Sequence, residues 1–492
     1  MSKYIILLPI AFPVIMGALL PLLRFKNRRA RNIYVEIVTI LTSAFAVWMM
    51  FHRPSEDFLV LNLAGELAVM LHIDGLGIVF SAVVAVLWPF ATLYAFEYME
   101  YEERDTAFFS FYTATFGVTL GIAFAGNLMT MYMFYEMLTL VTMPLVMHGM
   151  DKKAVQAGQR YMVFSIGGAA FAFIGFIFVY KLGATMDFAY GGVFDKGSIA
   201  GKENLLRGVY VLAVLGFGVK AAIFPFHAWL PRVAVAPTPV TALLHAVAVV
   251  KAGAFAIIRI TYYSYGTKLL EGTFAQNIIL ILAMVTILYG SVRAVKEPHL
   301  KRRFAYSTIS NLSYIVFGAA LMTPVGMAGG MAHLIIHAFI KISIFCCIGA
   351  ILHRSGLEYV DSMEGIGKKM PFVITCFFIS GLALIGIPPL SGFVSKWNLG
   401  AAAVSASEKL PLAGMFTLII SAFLTAAYLF SFLLRAVFPT KKTEKEEAFF
   451  QASDPGWRMR LPILFFTIMA VMLGIFAEPI TEFLTKVSNG LI

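Results

Sequence analysis

Long apolar runs separated by short polar stretches make up most of the chain. A helix that crosses a bilayer needs about 20 apolar residues, and runs of about that length recur between short loops from end to end. We therefore predict an all-α polytopic membrane protein with about 14 transmembrane helices. The predicted spans, numbered 1 to 14, are 4–23, 33–52, 75–97, 107–125, 128–148, 160–181, 207–230, 238–260, 276–294, 305–323, 327–352, 371–399, 411–437 and 461–482.

The composition agrees with this pattern. The 492 residues are 60% hydrophobic and only 13% charged, whereas soluble domains carry about 25% charged residues. The formal net charge is +11, which in a soluble protein would suggest nucleic acid. In a membrane protein Lys and Arg collect in cytoplasmic loops, so no nucleic-acid partner is expected.

The basic residues also predict an orientation. Of the 38 Lys and Arg residues, 24 fall in the loops on one side of the predicted spans, 10 fall on the other side and four lie within spans. The side with more basic residues is the cytoplasmic one. Both termini are then expected on the non-cytoplasmic side of a cell (inner) membrane.

Two predicted spans are interrupted by proline and carry a lysine. Span 7 is broken near Pro225 and contains Lys220, while span 12 is broken at Pro388 and Pro389 and contains Lys396. The offset of five spans is odd, so in an alternating topology the two surrounding units are inverted relative to each other. Inverted repeats with broken helices near the midplane are typical of transporters.

Ionisable side chains within the spans are candidate functional residues, because a charge at the centre of a membrane helix costs roughly 2.5–3.5 kcal/mol on insertion scales. Each one alone also has an ordinary structural explanation, such as an ion pair or a packed histidine. They are Glu136, Lys220, His245, Lys251, His333, His337, Lys341 and Lys396.

Their chemistry and spacing favour proton movement. His333, His337 and Lys341 recur every four residues, so they share one helix face and cover about 12 Å of depth. Histidine and buried lysine can gain and lose protons, whereas guanidinium stays charged, and no span centre contains Arg. We expect these groups and bridging waters to form one hydrated line.

Two carboxylates have separate expected roles. Glu136 and Lys220 would stabilise each other if they were adjacent, and their separation would release the lysine proton, so the pair is a hypothetical switch. Asp74, at the start of span 3, is expected to cap a helix N-terminus.

Motifs for metals and cofactors are missing from the sequence. Cys346, Cys347 and Cys376 lie in apolar runs without CxxC or His/Cys ligand spacing, so neither a structural zinc nor an iron–sulfur cluster is expected. No dinucleotide fingerprint, catalytic triad or haem motif is present either. We expect no cofactor and no catalytic centre in this chain.

Four segments together resemble a known family. FGVKAAIFPFHAWLPRVAVAPTPVTALLH, HLIIHAFIKISIF, AYSTISNLSYI and GIPPLSGFVSKW are similar to the antiporter-like subunits of respiratory complex I, of Mrp-type cation/proton antiporters (D-subunit type) and of energy-converting membrane hydrogenases. The resemblance covers roughly residues 70 to 435. It implies fourteen transmembrane helices, with helices 4–8 and 9–13 as inverted repeats around a polar axis at the membrane midplane.

The resemblance also implies roles for individual residues. Glu136 matches the family's helix-5 glutamate and Lys220 its helix-7 lysine. Lys251 matches the helix-8 lysine of some members and His245 the helix-8 histidine of others, so either one could be the main relay. The remaining matches are His333, His337 and Lys341 on helix 11 and Lys396 on helix 12.

The function implied is proton translocation by one subunit of a redox-driven hetero-oligomeric membrane complex, an ion-pumping part of an oxidoreductase whose partners hold the driving reaction. Alternatives are a subunit of an Mrp-type sodium/proton antiporter without a redox partner, and a non-conducting scaffold. The expected units are 1–106 (helices 1–3), 107–260 (helices 4–8), 276–437 (helices 9–13) and 438–492 (a cytoplasmic loop and helix 14).

Overall fold

Helices account for nearly all of the regular structure. The computed structural model describes residues 3–54, 56–65, 67–406, 408–438 and 452–492. The α-helices are α1 (Leu8–Leu19), α2 (Arg28–Phe51), α3 (Gly75–Tyr98), α4 (Asp105–Ala123), α5 (Leu128–Val146), α6 (Lys152–Leu182), α7 (Glu203–Gly218), α8 (Thr238–Ala246), α9 (Val249–Arg259), α10 (Thr267–Leu270), α11 (Phe274–Lys296), α12 (Leu300–Ala320), α13 (Pro324–Ser355), α14 (Pro371–Ile385), α15 (Ser391–Ser405), α16 (Lys409–Val437), α17 (Trp457–Ile475) and α18 (Ala477–Ser488).

Shorter helical segments extend or connect these elements. The 3₁₀ segments are Lys3–Leu7, Leu20–Leu22, Met99–Tyr101, Phe226–Trp229, Val233–Val235, Val360–Ser362 and Ile366–Lys368, and a π-helical segment, Ile260–Tyr265, continues α9.

The structure confirms the prediction of a protein with many apolar helices. Within the described residues, eleven helices are long and apolar enough to cross a membrane. Predicted spans 7, 10 and 12 are not among the eleven, and each has a physical reason. The α7 helix stops after 16 residues, span 12 is divided into α14 and α15 with 15 residues each, and α12 begins with three consecutive basic residues and is rich in Ser and Thr.

Burial identifies the centre of the bundle. The most apolar window of Thr238–Tyr265 is 100% buried and that of α13 is 94% buried, against 33% for α2 and α17. The α13 helix packs against α3, α8, α12, α14, α15 and α17. The two most enclosed stretches are therefore the ones that carry five of the eight ionisable candidates.

One hairpin interrupts the helical pattern. Strands β1 (Phe58–Ala64) and β2 (Leu67–Leu71) pair antiparallel between α2 and α3, in the stretch from 53 to 74 that the sequence analysis treated as a loop. The hairpin is attached to the start of α5, because Asn127 Nδ2 donates to Ala68 O at 2.9 Å and Met70 N donates to Thr130 Oγ1 at 2.8 Å.

Side-chain caps fix several helix starts. The predicted cap is present, since Asp74 accepts a hydrogen bond from Gly77 N at 2.8 Å at the start of α3. Asn127 and Asp151 cap α5 and α6 in the same way. Such caps satisfy backbone N–H groups that have no partner within the helix.

The C-terminal segment differs from its prediction. Span 14 was expected to run to residue 482, but α17 ends at Ile475 and a separate helix, α18, begins at Ala477. The α18 helix carries Glu478 and Glu482 on its polar side, and such charges are unfavourable in hydrocarbon. Of the predicted loop before span 14, residues 439–451 lie outside the described residues.

A glycine contact at the second helix break yields a stability prediction. A Cβ at Gly392, in the first turn of α15, would lie 1.8 Å from Ala383 O, whereas a Cβ at Gly400 in the same helix meets no atom within 4 Å. Gly392→Ala should therefore destabilise the protein by about 1–3 kcal/mol through overpacking. Gly400→Ala, the matched control, should be neutral or stabilising by up to about 1 kcal/mol, because Ala favours helix over Gly. The thermal unfolding midpoint in detergent distinguishes the two, and equal shifts would contradict the packing of α14 against α15.

Candidate functional site

The first broken helix exposes polar backbone groups inside the apolar bundle. The α7 helix ends at Gly218, and the chain turns through Ala222, whose φ is 55°, before Phe226–Trp229 begins. Pro225 immediately precedes that short segment and has no N–H to donate. The break leaves backbone carbonyls without helical partners, and in apolar surroundings each of them requires another donor.

Side chains supply those donors. The Tyr135 hydroxyl donates to Phe217 O at 2.8 Å, and Trp229 Nε1 donates to Val219 O at 2.8 Å. The turn is therefore held by polar contacts from α5 and from the short segment that follows.

Lys220 lies within this turn and is fully buried. Its ammonium group donates to Tyr135 O and lies 3.5 Å from the centroid of the Tyr135 ring. A carbonyl and an aromatic face both stabilise a cation without neutralising it.

Glu136 occupies the next position of α5 but makes no ion pair with Lys220. The two side chains interact electrostatically, yet among the described residues no ion pair within 4.0 Å includes Glu136. It is half-buried, and its Oε1 atom is enclosed without a hydrogen-bond partner in the described structure. The structure thus places the two charges close enough to influence each other while Lys220 is held by a carbonyl.

Lys251 contacts the row of histidines on α13. Its Nζ lies 2.7 Å from His337 Nδ1, and both residues are fully buried. Two residues along α9, a Cβ at Gly253 would lie 2.9 Å from the Lys220 carbonyl carbon, so the α9 backbone touches the turn that holds Lys220. No direct side-chain contact between Lys220 and Lys251 is found within the described structure.

The α13 row continues through His333 to the second broken helix. The rings of His337 and His333 stack with centroids 5.5 Å apart, and His333 Nδ1 lies 2.9 Å from Ser395 Oγ. Ser395 directly precedes Lys396 in α15. The predicted shared face of α13 therefore joins the partner of Lys251 to the residue beside Lys396.

Lys396 is held by carbonyls at the end of α14. Its Nζ donates to Leu384 O at 2.7 Å and to Ile385 O at 2.9 Å. These carbonyls are available because α14 ends at Ile385, and Pro388 and Pro389 cannot donate backbone hydrogen bonds back to them.

Lys341, the third member of the α13 row, points to α12. Its Nζ donates to Ser307 Oγ at 2.7 Å and to Phe304 O at 3.1 Å. The Ser307 hydroxyl in turn contacts the Tyr428 hydroxyl at 2.6 Å. This contact leads from the row towards α16 rather than along α13.

His245 is the one predicted helix-8 relay without a hydrogen bond in the described structure. Both of its ring nitrogens are buried and unpaired, and its ring stacks on Phe345 at 4.7 Å. Lys251, by contrast, is directly joined to the α13 row. The structure therefore brings Lys251, His337, His333 and Lys396 into one sequence of contacts and leaves His245 and Lys220 at its edges.

A cavity of about 1120 Å³ lies near the first break, where His227 lines it. Its wall consists of helix ends together with loops that the basic-residue count assigns to the cytoplasm. It also includes His299 and Lys301 at the start of α12. Burial lowers the pKa of His299, and Glu358, at 3.4 Å, partly offsets that effect.

Two features escaped the sequence analysis. Lys301 is buried although it was counted as a loop residue. Asp74, besides capping α3, forms a two-pronged ion pair with Arg259 at the end of α9, with Nη2 to Oδ1 at 2.8 Å. Sequence distance hid this pair, since 185 residues separate its partners.

Within the described part of the chain, no group of three or more His, Cys, Asp or Glu side chains is arranged to hold a metal ion. All three cysteines are buried and free.

The Asp74–Arg259 pair predicts a stability effect. Asp74→Asn should destabilise the protein by about 3–5 kcal/mol, because it leaves the fully buried Arg259 charge without a counter-charge. Glu482→Gln, which removes an exposed pair with Lys486, should leave the unfolding midpoint unchanged.

The same pair predicts a pH dependence. Burial alone would raise the pKa of Asp74, but Arg259 and the Gly77 N–H outweigh it, so the pKa lies below its usual value. The stability from this pair is then complete above about pH 4 and disappears only as the pH falls through the lowered pKa. Between about pH 5 and 7 the unfolding midpoint should therefore show no pH dependence that arises from Asp74. A pH-dependent loss of stability in that range that Asp74→Asn abolishes would contradict the pair.

Comparison with known proteins identifies the family. Residues 125–425 match the family described as "NADH:quinone oxidoreductase/Mrp antiporter, TM". The chain is 31% identical over 421 residues to the A/B subunit of a probable K⁺/H⁺ antiporter of Rhizobium meliloti, covering 84% of this chain and 41% of that one. It is 25% identical over 490 residues to the D subunit of a Na⁺/H⁺ antiporter of Alkalihalophilus pseudofirmus, covering 99% and 97%. A third relative is the N subunit of NADH-quinone oxidoreductase of Desulforudis audaxviator, with 29% identity over 409 residues, 79% of this chain and 78% of that one.

Solved structures share the fold along the whole chain. A chain of the membrane-bound sulfane sulfur reductase, an archaeal respiratory membrane complex, superposes with a TM-score of 0.85 at 22% identity, covering 100% of this chain and 98% of that one. A chain of the Mrp complex from Dietzia sp. superposes with a TM-score of 0.84 at 20% identity, covering 99% and 97%. The motifs, the fold and the family match agree, and the chain belongs to the NADH:quinone oxidoreductase/Mrp antiporter family of transmembrane subunits.

Proposed function

We propose that this chain is the proton-translocating, antiporter-like subunit of a multisubunit membrane complex driven by a redox reaction in a partner subunit. The observation that carries the proposal is the contact sequence from Lys251 through His337 and His333 to Ser395 and Lys396 at the centre of the bundle. Its side chains are drawn from three helices that are far apart in the sequence. Such a row of buried ionisable groups inside a membrane is a functional site by default.

The residue types support proton transfer rather than a fixed ion-pair network. The lysines of the line, Lys220, Lys341 and Lys396, donate to carbonyl or hydroxyl groups, while Lys251 contacts an imidazole nitrogen. None of these lysines forms a direct ion pair within the described residues, so no salt bridge has to break before the proton is released. Arg259, which can only remain charged, is paired with Asp74 away from the line.

Glu136 is suited to receive a signal from a neighbouring subunit. It is half-buried on α5, and Leu140, one turn further along, is 61% exposed, so this side of α5 faces outward. A charge change next to Glu136 would alter its hold on Lys220 through a medium of low dielectric constant, where such effects reach further than in water. The pair would then drive the Lys220 proton towards Lys251.

The proposed topology has fourteen spans, with helices 4–8 (107–260) and 9–13 (276–437) as inverted repeats, flanked by 1–106 and 438–492. The two breaks support it, because each lies beside a lysine held by backbone carbonyls. Protons would be taken up from the cytoplasmic side, move laterally, and leave at the other side near Lys396.

A sodium/proton antiporter subunit without a redox partner is the second candidate. The full-length correspondence with the D subunit of a Na⁺/H⁺ antiporter, which covers 99% of this chain, favours it. The 29% identity over 409 residues to the N subunit of NADH-quinone oxidoreductase favours the redox pump. Purification of the intact complex decides between them: partners with redox cofactors support the pump, and small membrane subunits alone support the antiporter.

Removal of the lysine at the first break tests the conducting role. Lys220→Ala should reduce proton transport by about 100-fold or more, the usual scale for losing a positioned proton-transfer group, while the complex still assembles. Lys409→Ala, an exposed lysine at the start of α16, should leave transport unchanged. Dye-quenching in membrane vesicles, normalised to the amount of assembled complex, gives the rate; normal transport by Lys220→Ala would favour the non-conducting scaffold.

The orientation has its own test. Single cysteines placed at Lys3 and Lys486 should react with a membrane-impermeant maleimide in intact cells, because both ends are assigned to the non-cytoplasmic side. A cysteine at Arg104 should react only after permeabilisation. The reverse labelling pattern would overturn the topology.

A further inference from the structure

Lys301 is a buried lysine outside the line described above. It is the second residue of α12, is 5% exposed, and contributes to the wall of the 1120 Å³ cavity. Its Nζ donates to Ala236 O at 2.7 Å. No acidic side chain forms an ion pair with it in the part of the chain that the structure describes.

The neighbouring basic residues behave differently. Arg302 pairs with Glu297 at 3.0 Å, and Arg303 donates to Glu297 O at 2.8 Å and to Ser431 Oγ at 2.8 Å. These two arginines attach the start of α12 to its surroundings. Lys301 instead contacts the segment ahead of α8, through Ala236 O.

The Ala236 carbonyl links Lys301 to a polar stripe on α8. Thr241 Oγ1 donates to the same carbonyl at 3.2 Å, and Thr241 is fully buried. His245 lies four residues later, which places it one turn away on the same face of the helix, with about 6 Å between the two Cβ atoms. A single water can bridge such a separation.

A water next to Thr241 would give His245 the hydrogen-bond partner that it lacks in the described structure. Both ring nitrogens are enclosed and unpaired in the described structure, although buried polar groups almost always have a partner, in protein or in ordered water. The charges of Lys301 and Lys341 both act on the ring. The ring also stacks on Phe345, which lies one turn along α13 from Lys341.

We propose that Lys301 and Thr241 form a proton-uptake branch from the cavity to His245 that is separate from Lys220. This inference rests on the proposed function and assigns His245 and Lys251 to different tasks: His245 receives protons from the cavity, and Lys251 passes them along the α13 row. His245 and Lys251 then act one after the other in the same pathway and are not alternatives.

Protons balance in this branch. The neutral Lys301 amine takes one proton from cavity water, and the ammonium group gives one proton to water at Thr241. The protonated water passes its proton to neutral His245, which passes one proton on to the α13 row that Lys251 joins at His337, and Lys301 returns to its neutral form. Only N–H and O–H bonds form and break.

Lys301→Arg is the most informative substitution. Arginine keeps the positive charge and can still donate to Ala236 O, so an anchoring role would survive, but it does not release its proton. Proton transport by the assembled complex in vesicles should fall at least about tenfold. Lys153→Arg, the same substitution at an exposed position of the same cavity wall, should leave the rate unchanged.

A second pair of variants covers failure of assembly. Thr241→Val removes the hydroxyl at nearly constant volume and should lower transport by a similar factor, whereas Thr241→Ser keeps the hydroxyl and should restore it. Reduced proton transport by Thr241→Val together with normal transport by Thr241→Ser supports the branch, even if Lys301→Arg does not assemble. Equal rates in Val and Ser, or an unchanged rate in assembled Lys301→Arg, would overturn it.

Lys220→Ala, measured in the same vesicles, separates the two proposals. If Lys220→Ala abolishes transport while Lys301→Arg transports normally, the branch is wrong and the proposed function stands. If Lys220→Ala transports normally while Lys301→Arg does not, the role proposed for Lys220 fails and the branch stands. If both variants transport normally, both proposals fail.

Discussion

The requirement to hold ammonium groups inside a hydrocarbon layer shapes the centre of this protein. A buried charge without partners is strongly unfavourable, and an acidic partner would fix the proton in place. The structure satisfies its lysines with neutral acceptors: Lys220 donates to Tyr135 O, and Lys396 donates to the carbonyls of Leu384 and Ile385. Such contacts stabilise the charged form moderately, which suits a group that must also become neutral.

The broken helices follow from that requirement. An intact helix uses its carbonyls internally, whereas a helix end supplies free ones, so a lysine beside a break finds acceptors at membrane depth. Breaks in turn demand close packing, and small residues provide it at Gly253 beside the first break and at Gly392 beside the second. Arginine is kept for permanent attachment, as in the pair between Arg259 and Asp74. Lysine and histidine occupy the positions to which we assign proton transfer.

Much of this arrangement could be predicted from the sequence, because intramembrane charges and prolines are conspicuous in apolar runs. The four-residue spacing of His333, His337 and Lys341 predicts their shared face, but spacing cannot say what that face meets. The contacts with Lys251 and Ser395, and the turn of Lys341 towards Ser307, depend on helices distant in the chain. The β1–β2 hairpin was missed because its apolar residues resemble an interfacial loop, and Lys301 was missed because a basic residue at a helix start is usually a cytoplasmic anchor.

Proton transfer along this line depends on water between side chains that do not touch directly. An experimentally determined map of the intact complex, at a resolution that shows ordered water, is the most direct test. We expect waters joining Lys220 to Lys251 and occupying the unpaired nitrogens of His245. A map in which dry, packed apolar side chains fill the space between those groups would contradict proton transfer along this line.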